Sequence, residues 1–128
     1  MDYEQKTGLM GAFMGISGII LAGIVWSTTA EGMSTPLAIA GFIIGNCIGY
    51  NLFAVLFPQI AIEQMVLRGG DAEYARATAI VTTVLAVLSG LIIKFAIDNQ
   101  ELWTIATITA LITGIIATMR LMTVEDDD

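Results

Sequence analysis

The feature that most limits what this chain can become is where its charges are missing. Marking every Asp, Glu, Lys and Arg leaves four uncharged stretches, Thr7–Ala30, Gly32–Ile62, Ala77–Ile93 and Leu102–Met119, of 24, 31, 17 and 18 residues. A helix needs about 20 mostly apolar residues to cross the hydrocarbon core of a bilayer, and unpaired backbone groups there leave helices as the only open-chain solution. The runs therefore predict an all-α membrane protein: a four-transmembrane-helix bundle in a single integral membrane domain over residues 1–128. An ordinary water-soluble globule is excluded, because charged residues make up 13% of the chain against about 25% in soluble domains.

The predicted helices run over Gly8–Thr28, Leu37–Phe57, Tyr74–Ile97 and Leu102–Met122. Pro36 suits the first turn of the second helix, where its missing N–H has no partner to lose, and Pro58 kinks or ends that helix. Residues 59–68 stay amphipathic, with Ile60, Ile62, Met65 and Leu67 beside Glu63, Gln64 and Arg68. They either continue helix two or lie along the membrane surface. Gly69-Gly70 stops this segment, and Asp71 is placed to cap helix three, with Glu73 adding favourable charge in the first turn. Asp98-Asn99-Gln100 forms a tight hairpin turn, and residues 123–128, ending in Glu125-Asp126-Asp127-Asp128, form an acidic solvated tail.

Basic residues near the helix ends set orientation. Lys6, Arg68, Arg76 and Arg120 fall on one side and Lys94 alone on the other, which predicts a multi-pass protein of the cell membrane with both termini cytoplasmic. Trp26 and Trp103 then fall at the external interface, as an aromatic belt requires. The first span is too long, and its leader too acidic, for a cleaved signal peptide. Acids dominate every aqueous segment and lysine is scarce, a pattern similar to proteins of salt-loving archaea.

Ser17-Gly18-Ile19-Ile20 matches Ser89-Gly90-Leu91-Ile92 at an offset of 72, and Gly41-Phe42-Ile43-Ile44 matches Gly114-Ile115-Ile116-Ala117 at 73. The chain thus reads as two tandem helical hairpins, through duplication or through chance matches among few residue types. Gly41, Gly45 and Gly49 recur at spacing four on helix two, and helix one carries Gly8, Gly11, Gly15, Gly18 and Gly23. Small residues let backbones approach where lipid removes most of the hydrophobic drive for association. Of these, Gly11, Gly15, Gly41, Gly45 and Gly49 are the predicted packing positions, against another helix of the chain or a second copy. For four thin spans a homo-oligomer is expected.

Polar residues inside the spans are the candidates for function. Asn46 and Tyr50 share a face of helix two, with Cys47 and Asn51 on the adjacent one. With Thr104 and Thr107 of helix four they form a candidate permeation lining, or else they hydrogen-bond neighbouring helices. Lys94 either snorkels to the interface or pairs with Asp98 or Glu31 as an external gate. Cys47, in an apolar span with no partner cysteine, reads as a packing residue.

A chain with no histidine and one cysteine cannot build a His-dependent triad, a His/Cys zinc site or an internal disulfide. No GxSxG or HExxH occurs, so no enzyme, metal or cofactor is expected. With five basic residues, nucleic-acid binding is unsupported. The chain does not look like the small multidrug exporters, which carry an acid within the first span, nor like the fluoride channels, whose glycine-and-arginine motif it lacks. The expected partner is the lipid bilayer. Two functional readings follow: an oligomeric channel or transporter for a small solute, or a noncatalytic subunit or scaffold of a larger complex.

Overall fold

The structure, a computed structural model, describes residues 2–29, 32, 34–67, 69–96 and 100–124. Among the described residues five helices succeed one another: α1 (Tyr3–Thr28), α2 (Ser34–Leu56), α3 (Pro58–Leu67), α4 (Ala72–Ala96) and α5 (Gln100–Thr123). All but α3 are long and apolar enough to cross a membrane. The chain is a polytopic helical membrane protein with four spans, as its charge pattern requires.

The punctuation in the sequence does local work. Asp2 opens α1 with a capping box: its carboxylate accepts from the Gln5 N–H at 2.8 Å, while the Asp2 N–H donates to Gln5 Oε1 at 3.1 Å. The end of α3 is a Schellman turn, with Gly70 N–H donating to Met65 O, Gly69 N–H to Val66 O, and Gly69 at φ +88° where only glycine sits without strain. Asp71 then caps α4, accepting from Tyr74 N–H at 2.9 Å. Asp98 and Asn99 of the expected turn and residues 125–128 of the expected tail lie outside the described residues, whereas Gln100 opens α5, Thr123 closes it and Val124 packs on the core.

Pro58 separates α2 from α3. The ladder is kept on both sides of it by Phe57 N–H to Phe53 O and Ala61 N–H to Phe57 O, and Pro58 itself has no N–H to place. The short helix then runs across the end of the bundle and touches α1, α2, α4 and α5. It is thus packed against all four spans. Ala61, Ile62, Gln64 and Met65 are buried beneath the spans, while Glu63 and Val66 face outward.

The first turn of α1 and the last turn of α5 lie at this end, and basic side chains stitch it together. Lys6 of α1 pairs with Glu63 of α3 at 2.8 Å. Arg76 Nε donates to Leu121 O at the C-terminal turn of α5, and Arg120 Nε donates to Val55 O at the C-terminal turn of α2. These carbonyls have no partner within their own helices, so the guanidinium groups satisfy them.

Helix α2 is the hub. It contacts every other helix, whereas α1 touches only α2 and α3 among the described residues, and α4 and α5 pair with each other. Tandem hairpins are therefore present, but their glycines engage differently. Gly18 faces Asn46 and Phe42, and Gly45 faces Gly18. Gly90, the counterpart of Gly18 in the offset match, faces Thr107, which the same offset relates to the start of α2 rather than to its centre. Gly114, the counterpart of Gly41, faces Thr83.

Glycine packing is concentrated on α2. A Cβ at Gly45 would lie 2.6 Å from Gly18 Cα and from the Ser17 carbonyl oxygen, and one at Gly49 would collide with the Phe13 carbonyl. Gly11 and Gly15, expected at this contact, have nothing within 4 Å. Gly18 takes their place, because the turn of α1 that meets α2 is set by Phe13, Met14, Ser17, Leu21 and Val25. Of the two tryptophans, Trp26 is exposed and Trp103 is fully buried with Val25, Ile44 and Ala110. The expected contrast is direct: Gly45→Ala should cost about 1–3 kcal/mol by overpacking. Gly11→Ala should instead stabilise by about 0.5–1 kcal/mol through helix propensity. Reversible unfolding in mixed micelles, followed by circular dichroism, measures both.

Candidate functional site: a lateral crevice between α1 and α4

Helices α1 and α4 both lean on α2 and not on each other, so a crevice of about 480 Å³ remains between them. Met10 and Met14 of α1 form one wall, and Thr78 and Thr82 of α4 the other. The floor is α2, with Phe42 and Ile43 towards one end, Asn46 and Cys47 in the middle, and Tyr50 towards the other. Met65 of α3 lines the end nearest the termini. A concave, mainly apolar space of this size with a few polar groups is the usual form of a small-molecule site.

Each polar group in the crevice has a traceable partner. Thr78 donates its hydroxyl to Tyr74 O at 2.8 Å, one turn back on its own helix. Thr82 does the same to Thr78 O at 2.8 Å. Such back-bonding is how a threonine enters an apolar helix at low cost. Asn46 donates one amide N–H to Phe42 O at 2.8 Å. The Tyr50 hydroxyl crosses to α4, donating to Ala75 O at 3.3 Å, so it braces the two helices at the closed end.

Asn51, on the adjacent face, has a different place. It is 1% exposed, donates to Thr83 Oγ1 at 3.1 Å, and its Oδ1 lies 3.3 Å from Thr82 Oγ1, as one of three acceptors around that hydroxyl. Thr83 commits its own hydrogen to Ala79 O, which leaves its lone pairs for Asn51. This amide therefore joins α2 to α4. It does not line the crevice.

The other expected participants are elsewhere. Thr107 donates to Trp103 O at 2.7 Å and packs on Gly90, in the contact between α4 and α5. Thr104 is half-buried on the same helix. Neither lines the crevice with Asn46 and Tyr50, so the combined stripe read from sequence is not assembled there. Lys94 is half-buried, with its ammonium 5.4 Å from the centroid of the neighbouring Phe95 ring. Glu31 and Asp98, its expected partners, lie outside the described residues.

Sequence reasoning missed Met10, Met14, Thr78 and Thr82. The two threonines do share a face at spacing four, a visible signal, but nothing in the sequence says that this face looks towards α1. It also missed Gln64, which is 1% exposed and accepts from the Thr7 hydroxyl at 3.1 Å while its Nε2 has no partner. Among the described residues no group of three or more Cys, Asp or Glu side chains is placed to hold a metal ion. Compared with family models, curated proteins and solved structures, the chain matches none.

The Asn51 contact is separable from the crevice by a double-mutant cycle. Asn51→Leu and Thr83→Val should couple by about 0.6 kcal/mol, and by no more than about 1.7 kcal/mol, the range of interhelical hydrogen bonds in lipid. Unfolding free energies of the two single variants and the double variant give that coupling.

Proposed function

We propose that this protein is a small transporter that receives its solute in the α1–α4 crevice, and that it performs no covalent chemistry. The observation that carries this reading is Asn46: an amide in the middle of a membrane span that lines the cavity floor and bonds only a carbonyl of its own helix, with its Nδ2 against Gly18 of α1, whereas Asn51 bonds across to α4. Polar residues at this depth are expensive to keep and mark solute sites more often than lipid contacts. An aqueous channel through one copy fits less well. Thr83 and Thr107 spend their hydroxyl hydrogens on helix carbonyls, and the crevice is closed at its terminal end by α3. Lys6, Arg76 and Arg120 at the terminal end support a cytoplasmic placement of both termini in the cell membrane.

A second reading rests on α1. Gly8, Gly11, Gly15 and Gly23 all have open space where a side chain would be, and small residues on an outer face admit a partner backbone closely. This favours a homo-oligomer, or a noncatalytic subunit whose outer helix packs into a larger complex. The two readings separate cleanly in proteoliposomes. Under the transport reading, purified protein accelerates uptake of at least one radiolabelled small uncharged solute, and Asn46→Leu lowers that rate severalfold. Gly11→Leu with Gly15→Leu then weakens cross-linking between copies. Protein that carries nothing across, yet leaves native membrane with fixed partners, belongs to the second reading.

A further inference from the structure

The hydrogen-bond inventory of the crevice says what kind of molecule would be held there. This inference rests on the crevice being a binding site and not on transport itself. Thr78 has spent its single hydroxyl hydrogen on Tyr74 O, and the one hydrogen of Thr82 has Thr78 O, Ala79 O and Asn51 Oδ1 within reach, so what the two offer the cavity is oxygen lone pairs. Asn46 has spent one N–H on Phe42 O with its Nδ2 against Gly18 of α1, which leaves its second N–H and its carbonyl oxygen without a protein partner. The cavity thus presents more acceptors than donors, with one donor and one acceptor side by side on Asn46.

Charge narrows the choice further. Among the described residues that line the crevice none is ionised, and burying an unpaired ion costs far more than burying a hydroxyl. The rest of the lining is thioether, aromatic and aliphatic: Met10, Met14, Phe42, Ile43 and Met65. The gap between α1 and α4 opens sideways, where the surrounding medium is lipid.

We infer that the crevice binds an uncharged, lipid-soluble alcohol. Its hydroxyl would donate to the Asn46 carbonyl or a threonine oxygen and accept the spare Asn46 N–H. Its hydrocarbon part would lie along the methionines and Phe42. An ether or ketone of the same length can accept but not donate, and would leave the surplus lone pairs unmatched. A bare alkane would satisfy nothing.

The test uses the full chain in nanodiscs with a diazirine-bearing dodecanol as the photoprobe. Labelling should map to the Phe42–Tyr50 and Thr78–Thr82 segments. Dodecanol should compete about threefold to tenfold better than dodecyl methyl ether at equal mole fraction in the bilayer, the ratio expected for one hydrogen bond. Asn46→Leu should bring that ratio to near one with helicity unchanged. Should that variant fail to fold, Thr78→Val serves as the second probe and should also narrow the ratio. Equal competition by alcohol and ether, labelling confined to other helices, or a ratio untouched by the folded variant overturns the inference. Alcohol selectivity without any flux in liposomes would instead sink only the transport reading. Flux of a solute with no alcohol preference would sink only this one.

Discussion

Close backbone approach between α1 and α2 is the constraint from which the rest of the arrangement follows. Gly45 and Gly49 remove the side chains that would hold the helices apart, so that Gly18 Cα and the Ser17 and Phe13 carbonyls sit where Cβ atoms would be. In lipid, where apolar burial contributes little to helix pairing, this kind of fit supplies most of the attraction. Its consequence is geometric. A helix pulled this tightly onto α2 leaves its flank away from α4, and the crevice is the space that results.

The second hairpin uses the opposite device. Thr83 seats on Gly114 and Thr107 on Gly90, so each helix gives a hydroxyl-bearing side chain to a glycine on its neighbour. The threonines can do this because their hydroxyls are already bonded one turn back, to Ala79 O and Trp103 O. Asn51 then ties this hairpin to the hub through Thr82 and Thr83. At the terminal end α3 closes the bundle from beneath, held by the Lys6–Glu63 pair, with Arg76 and Arg120 on the exposed carbonyls of α5 and α2.

Much of this was legible in the residues and the rest was hidden for a definable reason. Span number and helix ends could be read because charge, proline, glycine and capping residues act locally: Gly69-Gly70 ends α3 and Asp71 starts α4 as expected. The rotational phase of each helix could not be read in that way. On a soluble helix one apolar stripe points inward, but here nearly every face is apolar. Nothing in the sequence therefore distinguished Gly18, which packs within the chain, from Gly11 and Gly15, which have open space beside them. The same blindness divided Asn46 from Thr107 and buried Trp103, whose indole N–H has no partner among the described residues.

The separation of α1 from α4 is the claim on which the crevice stands, and cysteine cross-linking tests it most directly in a Cys47→Ala background. Val25→Cys with Gly41→Cys places two Cβ atoms about 3.6 Å apart, within the range of a disulfide. Met14→Cys with Thr82→Cys spans the crevice. The account predicts rapid oxidation of the first pair and none of the second; rapid closure of the second pair, with the first left reduced, would contradict it.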